Sequence, residues 1–231
     1  MKNKIAIIIA MCLILSLVAC VSRPTILSAE NTEAIEATVT VTKPTSTTEP
    51  DKLEAVRGRV SEDAYVNEML DLKIVKPEGW VFYTDEQIAQ VNNLTYEAMQ
   101  DSDIAEQISK NGQFMDMMMS DVNGNSVNLV LQARQPLLSL YTDEQAFAMN
   151  EESMKTLLAS SGMIVTTYET VNMQIGGEER SVLHMVLETS QQINEYQIWY
   201  RNDERYMGIL TVTTIGETEP QSILDGVTRI N

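Results

Sequence analysis

Four consecutive segments near the carboxyl end of the chain alternate apolar with polar residues, and this pattern constrains the fold more than any other feature. The segments are residues 164–173, 180–189, 192–201 and 205–214. A period of two places successive side chains on opposite faces of the backbone, as in a half-buried β-strand. The links between the segments are short, and short links join antiparallel neighbours. We therefore predict a four-stranded antiparallel meander.

Upstream of the meander, the sequence predicts two more pairs of strands. Residues 69–75 and 80–83 flank a break that contains Pro and Gly. Residues 114–120 and 127–134 flank the Asn-Gly pair at positions 123 and 124. Because Asn-Gly fits the tightest hairpin turns, this second pair is expected to form a hairpin.

Three capping boxes predict the starts of helices. Residues 84–87, 142–145 and 218–221 each begin with Thr and end with Gln, so the two side chains can satisfy each other's backbone amides. The first helix is expected to reach residue 111 with an interruption at 101–103, and the second to end at Gly162. The last is expected to bury four apolar residues, Ile223, Leu224, Val227 and Ile230. The combined pattern predicts an α+β fold, an antiparallel sheet with helices packed on it.

The first 19 residues have the layout of a signal peptide. Lysines at positions 2 and 4 precede an apolar run over residues 5–19. A permanent membrane span needs about 20 apolar residues, so this run is short for an anchor. We therefore predict that residues 1–19 are a targeting segment.

The end of that run resembles the lipobox of bacterial lipoproteins. It reads Leu17, Val18, Ala19, Cys20. The resemblance implies cleavage between Ala19 and Cys20 and a lipid on the Cys20 thiol, and it implies a protein held at the extracytoplasmic face of the cell membrane. The alternative is an ordinary secretory signal in which Cys20 follows a small residue by coincidence.

Composition excludes several functions. The chain has 33 acidic and 16 basic residues, a formal net charge of -17, which disfavours binding to nucleic acid. Its two cysteines, Cys12 and Cys20, leave no disulfide, thiolate metal site or cysteine nucleophile after residue 20. Its one histidine, His184, excludes a metal site built from several histidines.

A polar segment separates the predicted signal peptide from the part that folds. Residues 20–57 lack aromatic residues and glycine and are rich in Thr, Glu and Pro, so they are predicted to be a disordered tether. An alternating strand around Val39 and Val41 is the alternative. Residues 58–231 hold all the aromatic side chains and have the length of one domain.

The start of this domain resembles a PsbP-type domain. Residues 65–68 (Tyr-Val-Asn-Glu) and 72–80 (ending Pro-Glu-Gly-Trp) match the family's Asn-bearing strand and the corner that follows it. Where that family has a glycine before its second strand, this chain has Leu70 and Asp71. The chain is also similar to uncharacterised lipoproteins of Gram-positive anaerobes. PsbP relatives are mostly non-catalytic extrinsic subunits or assembly factors, so the resemblance implies an interaction module.

Two motifs suggest metal sites, but each has a simpler interpretation. Alternation places Met115, Met117 and Met119 on one strand face and Met118 on the other, which predicts core packing rather than a Cu(I) site. Asp121, Asn123 and Asn125 resemble the first ligands of a calcium loop. The Gly and Glu that such a loop needs further on are absent, and a solvated hairpin tip is predicted. We predict no metal and no cofactor.

Aromatic residues mark the one candidate ligand face. Tyr196 and Tyr200 share a strand face that Tyr206 can join across a turn. Core packing is the alternative for these rings. His184 lacks a nearby nucleophile motif and is predicted to be structural, and no catalytic residue is assigned.

The sequence thus predicts a lipid-anchored, non-catalytic binding module. Its partners are expected to be the membrane, through the lipid, and an unidentified protein or small molecule. Two alternatives remain: a tethered hydrolase or carbohydrate-active enzyme that uses carboxylates, and a solute- or ion-binding accessory of a transporter. Two buried, converging carboxylates favour an enzyme, whereas a flat face of exposed aromatic rings favours a binding module.

Overall fold

The structure, a computed structural model, describes residues 56–101, 104–201 and 203–230. Its strands, in which side chains alternate between the two faces, form two antiparallel sheets. The strands are β1 (Arg59–Val60), β2 (Ala64–Asn67), β3 (Leu72–Val75), β4 (Val81–Phe82), β5 (Gln113–Ser120), β6 (Ser126–Ala133), β7 (Ile164–Ile175), β8 (Glu178–Glu188), β9 (Gln192–Tyr200), β10 (Tyr206–Ile215) and β11 (Val227–Thr228). The large sheet has the order β4-β5-β6-β10-β9-β8-β7, and the small sheet has the order β1-β2-β3-β11.

Helices lie between and after these strands. They are α1 (Asp85–Val91), α2 (Tyr96–Asp101), α3 (Ile104–Asn111), α4 (Asp143–Ser160) and α5 (Gln221–Leu224), with a 3-10 helix at Pro136–Leu140. The fold is therefore α+β, as predicted. None of the helices in the described part of the chain is long and apolar enough to cross a membrane.

The predicted meander is confirmed. Strands β7 to β10 pair antiparallel in chain order, with bounds within two residues of the predicted ones. Gly176 and Gly177 have φ values of 61° and 80° in the β7–β8 turn, a conformation that glycine adopts without strain. The predicted hairpin of β5 and β6 is also present, and β6 pairs with β10 from Ser126 opposite Thr213 to Ala133 opposite Tyr206. The hairpin and the meander thus form one sheet.

Two of the three predicted capping boxes are confirmed. The hydroxyls of Thr84 and Thr142 accept from the amides of Gln87 and Gln145, and each Gln side chain returns to the cap backbone. The first predicted helix is divided in the described residues, because α1 ends at Val91 and α2 begins at Tyr96. Ser102 and Asp103, in the predicted interruption, lie outside the described residues.

The prediction of the third capping box is wrong. Pro220 caps α5 without a side-chain hydrogen bond, and the Thr218 hydroxyl donates instead to the Ile215 carbonyl. The helix ends at Leu224, and Val227 lies in β11 opposite Ile74. The chain leaves the helix because pairing with β3 satisfies backbone groups that an isolated last turn leaves open.

A β-bulge corrects the prediction for the methionines. Met115 lies opposite Val130 and Met117 opposite Leu129, so Asp116 is the extra residue and the alternation shifts by one. Met115 and Met118 therefore share one face, whereas Met117 and Met119 share the other. All four side chains are buried, because both faces of the sheet are covered.

Different layers cover the two faces of the large sheet. On one, the Trp199 ring meets the Phe147 ring of α4 edge to face, with centroids 4.8 Å apart. We call this the helix face. On the other, the Leu70 side chain lies so close to Gly208 that a Cβ on Gly208 would be 2.4 Å from it. Since Leu70 connects β2 to β3, we call this the small-sheet face.

The link between β2 and β3 contains a residue with an uncommon backbone conformation. Asp71 has a φ of 52°, in the left-handed region that favours glycine. Its carboxylate accepts from the Ile230 amide, which helps to hold this backbone conformation.

Two residues before the predicted boundary at residue 58 also contact the domain. Val56 is buried in the core and Arg57 binds Asp116 through its side chain. The predicted signal peptide, Ala19, Cys20 and the tether as far as residue 55 lie outside the described residues.

Candidate functional site

Six buried polar residues form one patch on the helix face. They occupy two neighbouring rungs across three strands, β6, β10 and β9. We call them the polar array: Ser126, Thr213 and Glu195 in the first rung, and Asn128, Thr211 and Gln197 in the second. Directly opposed side chains in a sheet lie about 5 Å apart, and rungs of one face about 7 Å apart. Thr213 and Thr211 therefore each have a neighbour on both sides, and the β6 and β9 residues of a rung lie on either side of β10.

Several buried polar atoms of the array have no hydrogen-bond partner within the described parts of the chain. They are both carboxyl oxygens of Glu195, the hydroxyls of Ser126 and Thr213, and Nε2 of Gln197. A buried polar group without a partner costs about 1–3 kcal/mol, and native proteins contain few of them. Five such atoms lie together in one patch, which makes the polar array the candidate site of this protein.

Burial also changes the protonation of Glu195. Its side chain is fully buried, which raises its pKa from 4.5 to about 8. Burial is the one cause of this shift, and no charged side chain of the described residues contributes to it. At neutral pH the carboxyl is therefore mostly protonated.

Apolar residues border the array. Met185 lies opposite Glu195 on β8, and Met118 lies opposite Asn128 on β5. On β9 the next side chain on the same face is Trp199. These neighbours keep water away from the polar atoms, which strengthens any electrostatic contact made there.

The sequence contained a signal for this site that strand-by-strand reasoning missed. Every second residue of β9 from 193 to 199 is Ile, Glu, Gln and Trp. Two polar residues therefore lie between two large apolar residues on one face of the strand. The same holds for Thr211 and Thr213 on β10. Only the pairing register of β6, β10 and β9 shows that these polar residues lie side by side on one face of the sheet.

The predicted tyrosine face is brought together but is not a row of exposed rings. Tyr196, Tyr200 and Tyr206 all lie on the small-sheet face. Tyr200 is only 4% exposed, with the Arg180 guanidinium 4.3 Å from its ring centre, while Tyr196 and Tyr206 are half-buried against the core. A ligand face at these residues stays a prediction, with two accessible rings.

His184 is held by its neighbours. Its Nδ1 lies 3.0 Å from Oε1 of Glu169, and its ring stacks on Tyr196 with centroids 4.6 Å apart. Its buried Nε2 has no partner. Among the described residues, the ring therefore has an orienting carboxylate, and neither nitrogen is hydrogen-bonded to a hydroxyl that it could activate.

The second fully buried carboxyl belongs to the bulge residue Asp116. It accepts from Tyr65 Oη at 2.5 Å, from the Gly58 amide at 2.8 Å and from Arg57 Nε at 3.1 Å. Burial raises the pKa of Asp116, and the bonds from Tyr65 and Gly58 oppose that rise. These contacts join the small sheet to the large one, so Asp116 acts as a structural link.

The hairpin tip uses its oxygen atoms internally. The Asp121 carboxylate accepts from the backbone and side-chain amides of Asn123 and Asn125. The Asn125 side-chain oxygen accepts from Ile215. In the described parts of the chain, no group of three or more His, Cys, Asp or Glu residues is placed to hold a metal ion.

No family model matches the chain, and no curated protein matches it. Among solved structures, it is similar to the solution structure of cyanobacterial PsbP (CyanoP) from Synechocystis sp. PCC 6803. That similarity has a TM-score of 0.41 and 10% sequence identity, and it covers 81% of this chain and 100% of that chain.

Proposed function

We propose that this protein is a lipid-anchored, extracytoplasmic binding module that takes a small polar ligand at the polar array. The observation that carries the proposal is the set of unpaired, buried polar atoms on Glu195, Ser126, Thr213 and Gln197. Pre-placed hydrogen-bonding groups inside an apolar border are typical of sites for small molecules.

The positions of the two buried carboxyls favour binding over hydrolysis. A glycosidase needs two carboxyl groups that converge within about 5–9 Å on one substrate. Glu195 lies on the helix face, whereas Asp116 is engaged by Tyr65 of the small sheet. Their side chains therefore point into different layers.

The anchoring half of the proposal rests on residues 17–20 and on charge. Cleavage before Cys20 removes two lysines and no acid, which leaves 14 basic and 33 acidic residues, a formal charge of -19. A surface this acidic is repelled by anionic headgroups, so the lipid provides the attachment. A tether of about 36 residues has a reach of roughly 30–36 Å, enough to hold the domain clear of the membrane.

The corner at residues 77–80 supports the same class of function. Its resemblance to PsbP-type domains suggests kinship with proteins that are mostly non-catalytic.

The binding site can be tested by a thermal-shift screen of neutral polyols and small amines. A ligand that uses the array is expected to raise the melting temperature, because binding to the folded state alone stabilises it. Thr213→Val should abolish the rise. Thr214→Val is the matched control, since Thr214 is also buried with an unpaired hydroxyl but lies on the small-sheet face. Equal responses of the two variants would place the ligand elsewhere.

Lipidation can be tested by growing cells with an alkyne fatty acid. The wild-type protein should become labelled and Cys20→Ala should not, because the thiol is the acceptor. Cys12→Ala, which alters only the segment predicted to be removed, should label normally. Labelling of Cys20→Ala at the wild-type level contradicts the proposal.

A further inference from the structure

We propose that the polar array binds a singly charged cation, with the Glu195 carboxylate as its counter-ion. The proposal rests on the binding function above and names the chemical class of the ligand. The cation is either a metal ion such as sodium or the ammonium group of a small primary amine, since oxygen atoms hold both.

Charge is the first argument. Glu195 is the single ionisable residue of the array, and its cross-strand neighbours are Met185 on β8 and Thr213 on β10, neither of which titrates. An ionised carboxyl buried without a partner is costly, so the group stays neutral unless a positive charge arrives. One positive charge balances one carboxylate, whereas a divalent ion leaves an excess charge in the core.

The arrangement of oxygen atoms is the second argument. The unpaired hydroxyls of Ser126 and Thr213 share a rung with both unpaired oxygens of Glu195. A hydroxyl oxygen can accept from an ammonium group or coordinate a hard metal ion. Gln197 is two residues along the same strand face, and its side-chain amide can turn to present its oxygen. Glu195, Thr213 and Gln197 thus bring their polar groups next to one another, with Ser126 on the far side of Thr213.

The binding step moves one proton. Burial keeps Glu195 mostly protonated at pH 7, because its pKa is about 8. When the cation binds, the carboxyl loses its proton to solvent and the O–H bond is replaced by an ion pair. About 0.9 proton should therefore be released per cation bound at pH 7.

The test is a pH-stat titration of the purified full chain at pH 7. Sodium chloride and methylammonium chloride are the probes for the metal and amine sources. Tetramethylammonium chloride at equal ionic strength is the control, because it has the same charge but no N–H donor and is too bulky for close contact with the oxygens. We expect saturable release of about 0.9 proton per chain with one probe or both, and none with the control. A melting-temperature rise should saturate over the same concentration range.

Variants identify the group that loses the proton. Glu195→Gln keeps the shape of the side chain and should abolish both proton release and stabilisation, whereas Glu188→Gln, at the exposed end of β8, should change neither.

Proton release that persists in Glu195→Gln, or an equal response to the control salt, overturns the cation proposal. If a neutral polyol alone stabilises the chain in a Thr213-dependent way, the cation proposal fails and the proposed binding function stands. If neither the polyols nor the cations act through the array, both fail.

Discussion

Asp116→Ala should destabilise the fold more than any other single change that we propose, by about 3–5 kcal/mol. The change leaves the Tyr65 hydroxyl, the Gly58 amide and one side of the Arg57 guanidinium without an acceptor. Tyr65 and Gly58 belong to the part of the chain that packs the small sheet on the large one. Because domains of this size have a total stability of about 5–15 kcal/mol, the variant should lose a large fraction of it.

Urea denaturation followed by tryptophan fluorescence measures this effect. The matched control is Asp85→Ala, which removes the other carboxylate on Arg57, at 2.6 Å, from a side chain that is about half exposed. Exposed ion pairs contribute little, so the control should lose about 1 kcal/mol or less. If the two variants are equally stable, Asp116 does not join the two sheets. Asp116→Asn should lie between them, because the amide retains one acceptor oxygen but places a donor against Arg57 or Tyr65.

Local sequence patterns predicted most of the elements but not how they assemble. The period of two in residues 164–214 identified β7 to β10, and the Asn-Gly pair identified the β5–β6 hairpin. Short links fixed which of these strands are neighbours. The pairing of β6 with β10 joins residues far apart in the chain, and no local pattern specifies such a contact.

The errors have identifiable physical causes. The bulge at Asp116 was not visible because apolar residues continue on both sides of it, so the sequence shows no shift of the alternating pattern. The strand at Val227 was assigned to a helix because two residues are too few for a period. Asp116 itself is drawn inward by Tyr65, a residue 51 positions away.

The candidate site illustrates the same limit. Glu195 and Gln197 are ordinary polar letters in an alternating strand, and either face of β9 was available to them from the sequence alone. They become a site because β10 and β6 place Thr213 and Ser126 beside them. The tyrosine face was predicted because each aromatic residue is conspicuous in the sequence by itself. The polar array can be recognised only when the pairing of the three strands is known.

Stability should fall as pH rises from about 5 to 8, and Glu195 should account for much of the fall. In the folded protein the pKa of Glu195 is about 8, whereas its ordinary value is 4.5. Between these values the folded state holds a proton that the unfolded state has lost, so raising the pH favours unfolding. Relative to pH 8 and above, Glu195 contributes to the free energy of unfolding in full below pH 4.5. This contribution is lost progressively as the pH rises from 4.5 to 8. A pKa difference of this size corresponds to a change in the free energy of unfolding on the order of 5 kcal/mol.

Glu195→Gln should remove this component because glutamine does not titrate. Urea unfolding at pH 5, 6, 7 and 8, with ionic strength held by tetramethylammonium chloride, should give a flatter profile for the variant and a higher stability than wild type at pH 8. Other groups, including Asp116, titrate alike in both proteins, so the difference between the two profiles isolates Glu195. Glu188→Gln should follow the wild-type profile, because residue 188 is exposed.

Parallel profiles for wild type and Glu195→Gln would mean that this carboxyl already has a partner in solution. If the array binds a cation as proposed, saturating sodium or methylammonium should flatten the wild-type profile toward that of Glu195→Gln, because the bound charge lowers the pKa of the carboxyl.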